Sequence, residues 1–175
     1  FSLNMLIVCF LVAAVRSKYV LLLCRGTATQ SSVGWNGLPE RAIDGNRASI
    51  WEQGSCTHTQ GEMKPWWRLD LQKTYNVDTV TITNRRDCCH ERINDAEIRI
   101  GSSLSDNGNN NPRCAVISSL AAGASQTFRC NGMEGRYVNV VIPGRTEYLT
   151  LCEVEVTLIY FPARIKFLMH LIFLL

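Results

Sequence analysis

Three basic side chains stand in surroundings that suit hydrogen bonding to a small, oxygen-rich ligand. His58 sits in Gly54-Ser55-Cys56-Thr57-His58-Thr59, and Arg85 and Arg92 bracket the run Arg86-Asp87-Cys88-Cys89-His90-Glu91. A guanidinium offers five N–H donors and no acceptor, in a planar fork that stays charged. Two such forks and an imidazole suit a carboxylate, a sulfate or a set of vicinal hydroxyls. Asp87 can orient one of the arginines or accept from a ligand hydroxyl. Cys88 and Cys89 are chain neighbours, with Cα atoms about 3.8 Å apart, whereas an ordinary disulfide spans roughly 4.4–6.8 Å. A bond between them requires a tight, strained turn, a feature that persists where a site needs a fixed shape. Taken singly, each of these residues reads as a solvated loop side chain, and Arg86 keeps that reading.

The elements that must position these residues read as strands. Trp67-Arg68-Leu69-Asp70-Leu71 and Ala96-Glu97-Ile98-Arg99-Ile100 alternate apolar with polar, which places Trp67 inside and makes Trp66 a packing residue. Val77 to Asn84, with Val80 and Ile82 inward, and the runs Tyr137 to Ile142 and Leu149 to Val156 share the same β-branched character. Asp44-Gly45, Pro65, Asp106-Asn107-Gly108, Gly132, Gly135 and Pro143-Gly144 mark turns between them, and Ser105 to Pro112 reads as one exposed loop. No stretch holds a helical period over three turns. The expectation is an all-β domain, a β-sandwich or jelly roll, with binding groups on loops at one end.

Composition narrows the function classes. The net charge is +3, with lysine and arginine dispersed, so nucleic acid is not an expected partner. Eight cysteines in 175 residues indicate an oxidising compartment. The uninterrupted apolar run Met5 to Val15, followed by Arg16-Ser17-Lys18, reads as a secretory leader over residues 5–17. The domain is expected over 24–157. Leu158 to Leu175 is apolar but broken by Pro162, Arg164, Lys166 and His170, so it reads as an appendage and not as a membrane span. An enzymatic reading, with Cys88-Cys89 as a redox pair or Cys56, His58, Cys88 and His90 as a zinc site, fails on spacing. Redox pairs are usually Cys-x-x-Cys, and adjacent cysteines do not both ligate one tetrahedral ion easily.

The spaced set His58, twenty-six residues, Arg85-Arg86-Asp87, four residues, Arg92 resembles the fucose-binding motif of the F-type lectins, the fucolectins. The resemblance runs from about Arg25 to Val156. It includes Arg25-Gly26-Thr27-Ala28-Thr29-Gln30-Ser31, Ala42-Ile43-Asp44-Gly45-Asn46, Pro65-Trp66-Trp67-Arg68, Asp87-Cys88-Cys89, Asn110-Asn111-Pro112 and Leu151-Cys152-Glu153-Val154. It implies a jelly roll, discoidin-like and galactose-binding-domain-like, that binds L-fucose without altering it. By the same resemblance His58, Arg85 and Arg92 hold the ring oxygen and the C3 and C4 hydroxyls, and the bonded Cys88-Cys89 pair gives the ring a flat apolar face. Trp51 stands where an aromatic would receive the C6 methyl. Glu52 and a short loop from Ser32 to Glu40 depart from the family pattern.

The resemblance also implies a structural Ca²⁺ held near Arg41, Asp44, Asn46, Ser55, Cys152 and Glu153, in part through backbone carbonyls. From the residues alone, Asp44-Gly45-Asn46 reads better as a turn than as a metal site. It implies the disulfides Cys56-Cys152, Cys88-Cys89 and Cys114-Cys130, with Cys9 in the leader and Cys24 left over. A secreted lectin of innate recognition, binding fucosylated glycans and using oligomers or tandem domains for avidity, is the expectation that follows. The alternative is a discoidin-like adhesion module with a non-fucose ligand.

Overall fold

The computed structural model describes residues 19–22 and 26–159. Nine strands occur among the described residues: β1 (Tyr19–Leu22), β2 (Thr27–Gln30), β3 (Glu62–Met63), β4 (Trp66–Thr83), β5 (Ala96–Gly101), β6 (Arg113–Ile117), β7 (Ser125–Val141), β8 (Thr146–Glu147) and β9 (Glu153–Ile159). The leader, Cys9, Cys24 and the chain from residue 160 onward lie outside the described residues. β1 precedes the expected start at residue 24, and β9 runs through Leu158 to Ile159.

The fold follows from two long strands. The segments read as separate runs, Trp67 to Leu71 and Val77 to Asn84, are one eighteen-residue strand, β4. Register shifts between Asp70 and Tyr75 and between Val77 and Thr79 let it bend, with Gln72 at a left-handed φ of 67°. The early half of β4 pairs with β2 and with the end of β7, which in turn pairs with β5; the late half pairs with β9. The main sheet runs β1-β9-β4-β7-β5-β6, with β2 also on β4, and β3 and β8 form a separate ribbon. Because β4 and β7 serve both layers, the sheet folds into the expected all-β jelly-roll sandwich.

Alternation fills the space between the layers. Trp67, Val80, Ile82, Ile98, Ile100, Val138 and Val140 are all fully buried, and the Trp67 indole N–H donates to the Pro39 carbonyl at 2.9 Å. At the outer face Asp70 accepts two bonds from Arg136, of 2.8 and 2.7 Å. The stretch from Ser105 to Pro112 departs from the exposed loop expected: Gly108, Asn109 and Asn111 are buried. There the asparagine amides replace water for nearby backbone, as where Asn111 accepts from the Ser103 N–H and donates to its carbonyl. Leu149 to Cys152 also departs from the strand expected, for a reason that lies in the site.

Candidate functional site

His58 is placed by a short stretch of chain gripped from both sides. Thr57 and Thr59 donate their backbone N–H groups to the Leu151 and Leu149 carbonyls at 2.8 and 3.0 Å, and their hydroxyls accept from the same two residues' N–H groups. Leu149 to Leu151 therefore spend their hydrogen bonds on the His58 segment and not on a sheet, which is why β9 begins only at Glu153. On the other side the His58 N–H donates to the Gly37 carbonyl, and the Gly34 N–H donates to the His58 carbonyl. These contacts need glycine: a Cβ at Gly37 would lie 2.5 Å from the His58 nitrogen, and one at Gly34 2.6 Å from the Thr59 oxygen. The Cys56–Cys152 disulfide staples the two strips together.

Arg85 and Arg92 occupy the connection from β4 to β5. Asn84, fully buried, closes its neck: its amide donates to the His90 and Leu120 carbonyls at 2.9 and 2.8 Å, and its oxygen accepts from the Arg85 N–H. Within the loop Cys88 is bonded to Cys89, which takes a left-handed φ of 58° and gives the tight turn expected. Arg92 lies in the following 3₁₀ turn, His90–Ile93.

The loops enclose a cavity of about 310 Å³ lined by Trp35, Trp51, His58, Arg85, Cys88, Arg92 and Tyr148. Five of the seven residues expected at a sugar site are thus brought together: His58, Arg85, Arg92, Cys88 and Trp51. Asp87 and Cys89 are not on the wall. Asp87 stands behind it, accepting two bonds from Arg85 at 3.0 and 2.6 Å and one from the Trp51 N–H at 3.0 Å. Those bonds, Arg85's foremost, bring its carboxyl down to about 2. Of the two roles open to Asp87, orienting an arginine is the one the geometry fills.

Trp35 and Tyr148 were not legible as site residues. Trp35 is two-thirds exposed at a left-handed φ of 47°, with its ring 4.7 Å from His58 and 5.7 Å from Tyr148. A lone aromatic between two glycines, Gly34 and Gly37, was the available signal. Trp51 sits edge-on to His58 and within 5.4 and 5.1 Å of the Arg41 and Arg85 guanidinium carbons.

The His58 Nδ1–H donates to the Thr59 carbonyl, which leaves the other ring nitrogen as an acceptor in the neutral form. Burial holds the imidazole below its usual 6.5; the Thr59 bond opposes this, and the Arg92 and Arg85 charges add to it. The cavity thus carries two permanent donors and one acceptor among three aromatic rings.

A second cluster contains residues expected to hold calcium. Glu153 is buried, and both its carboxylate oxygens lack a hydrogen-bond partner. Burial, then the neighbouring charges of Asp44 and Glu155, push it up to about 8, and a weak pull from the Gly45 amide offsets only part. Asp44 accepts from the Asn46 N–H at 2.8 Å and Gly45 has φ 82°, so these residues do form a turn. Ser55 is buried beside Cys56, and the Arg41 side chain lies over Trp51, leaving only its backbone for a metal. No group of three His, Cys, Asp or Glu side chains converges among the described residues. Two orphaned carboxylate oxygens beside a second carboxylate nonetheless fit a hard cation whose remaining ligands are carbonyls.

Fold and loop-end cavity together define a carbohydrate-binding sandwich: residues 41–140 match the family described as NedA-like, galactose-binding domain. The chain belongs to the F-type lectins, the fucolectins. It is 54% identical over 138 residues to Fucolectin-5 of Anguilla japonica, covering 75% of this chain and 72% of that one. It is 62% identical, with a TM-score of 0.76, to the serum F-lectin of Morone saxatilis, covering 79% of this chain and 47% of that one. The chain thus spans about half the length of the striped bass lectin. The lectin domain of lectinolysin, solved in complex with Lewis B antigen, is 32% identical with a TM-score of 0.67, covering 77% of this chain and 94% of that domain. These relatives are lectins and not enzymes. No helix among the described residues is long and apolar enough to cross a membrane.

Proposed function

We propose that this chain binds L-fucose at the ends of fucosylated glycans. The observation that carries the reading is the convergence of His58, Arg85 and Arg92 on one cavity that Cys88 and Trp51 also line. Each arginine donates to sugar oxygens. Neutral His58 accepts from a hydroxyl that in turn accepts from an arginine. A hydroxyl meeting both demands is held from two sides, and an epimer that moves it leaves both protein groups unpaired. Trp51, fixed by its backbone bond to Asp87, gives the C6 methyl an apolar wall, and Cys88 gives the ring one. The names of the relatives point the same way.

The reading extends to a secreted protein serving innate recognition of foreign glycans, with oligomers or tandem domains supplying avidity. It also includes a structural Ca²⁺, whose charge would balance the Glu153 and Asp44 carboxylates. Arg41, Asn46, Ser55 and Cys152 complete the set that would hold it. Such an ion would steady the strip around Cys56 and Cys152 that carries His58.

Calorimetric titration with L-fucose and a fucosylated glycan panel tests the sugar site. Saturable binding displaced by free fucose is expected, whereas binding to a natural ligand that fucose cannot displace would favour the discoidin-like alternative. Thermal melts with Ca²⁺ and with a chelator test the ion. A melting temperature that rises with Ca²⁺ concentration is expected, and identical melts would remove the ion from the account.

A further inference from the structure

We propose that Arg145 is a positioning residue for sugar binding, aiming Arg92 into the cavity from outside it; this rests on the sugar reading above. Arg92 needs such help. Its guanidinium has no close carboxylate: Glu147 Oε1 lies 3.8 Å from Nε and already accepts from the Tyr148 N–H at 2.9 Å. The Tyr148 ring lies 4.7 Å from the guanidinium carbon. A 3₁₀ turn of four residues, His90–Ile93, is too short to fix its own end.

Arg145 supplies the missing constraint. Its Nη2 donates to the Arg92 carbonyl at 3.0 Å and also to the Asn94 carbonyl, so one guanidinium spans the end of the turn. A cation bonded to the last carbonyls of a helical turn is favourable in charge as well as geometry. Its other arm lies 3.7 Å from Asp95 on the same segment. The anchor is firm, because the Arg145 carbonyl accepts from the Lys64 N–H at 3.0 Å and β3 pairs with β8 just beyond. Glu147 and Tyr148 follow on the same strip of chain. One short ribbon therefore holds the Arg92 backbone through Arg145 and flanks its side chain with Glu147 and Tyr148. Arg145 itself does not line the cavity.

The test is calorimetric titration with L-fucose of the wild type and the Arg145→Ala, Arg145→Gln and Arg145→Lys variants, each also melted. Arg145→Ala is expected to weaken binding roughly three- to tenfold, the scale of losing hydrogen bonds from a charged donor, with Arg145→Lys recovering most of it. Arg145→Gln gives the same reading should Arg145→Ala melt early. A general structural role would not discriminate between the two arginines. The loss should therefore shrink in an Arg92→Lys background and persist in full in an Arg85→Lys background. Wild-type affinity in Arg145→Ala and Arg145→Gln, or equal losses in both backgrounds, would overturn the proposal alone. A wild type that does not bind fucose overturns the sugar reading and this proposal with it.

Discussion

Arg85 and Arg92 carry the same charge to the same cavity and are held in opposite ways. Arg85 is almost buried, and a carboxylate two residues along the chain grips it in a fork while its own backbone hangs from Asn84. No carboxylate nearby in sequence grips the Arg92 side chain; its carbonyl is braced by Arg145 and its side chain leans on Tyr148, more than fifty residues away. One donor is fixed by local chemistry, the other by topology. The contrast implies that Arg85 keeps its geometry as long as its own loop is intact, whereas the aim of Arg92 depends on the ribbon that carries Arg145.

Arg85→Ala is expected to give the largest effect, since losing two charge-assisted bonds at about 1.5 kcal/mol or more each weakens fucose binding by ~100-fold. Its melting temperature should stay near that of the wild type, because Asn84 still closes the loop; retained binding in a titration would contradict the site. Asp87→Asn should cost about tenfold by loosening the fork, against only about twofold for Glu147→Gln, whose contact with Arg92 is long. Equal losses in these two variants would erase the distinction between the arginines.

Acid should act next, through the imidazole between them. Because His58 titrates below 6.5, affinity should be flat from neutral pH down to that value and fall only below it, when protonation removes the acceptor and adds a cation beside Arg85 and Arg92. The unfolded chain takes up that proton first, so stability also declines below 6.5. Only stronger acid reaches Asp87. Its carboxyl is depressed from 3.8 to about 2, so its contribution is complete above 3.8 and disappears as pH falls through 2. Melts from pH 5 to 2, wild type against Asp87→Asn, read it directly: a slope unaltered by the substitution would put the acid sensitivity elsewhere.

The same division governs what the sequence made legible. Orienting an arginine was one of two roles legible for Asp87 because its partner is a near neighbour, and the core faces of β4 and β5 were legible because alternation is local. Arg145, Glu147 and Tyr148 left no comparable trace, since strands of two residues have no period and their contacts depend on where the chain returns. Leu149 to Leu151 show the converse. Their apolar alternation reads as a strand, yet they bond to the two threonines flanking His58, through hydroxyls as well as backbone. Trp35 lies in a loop, where no periodicity marks a side chain as functional. The jelly roll, three disulfides and five of the cavity residues followed from the chain itself together with its family resemblance.

Gly34 and Gly37 press the Trp35 loop directly onto the His58 backbone, so the aromatic wall and the imidazole behave as one body. A sugar then meets a surface with little left to order. Little conformational entropy is lost on capture, and the heat-capacity change should reflect the apolar area of a single monosaccharide and no segment folding around it. Discrimination among ligands would then be expressed mainly in how long each one stays, not in how fast it arrives.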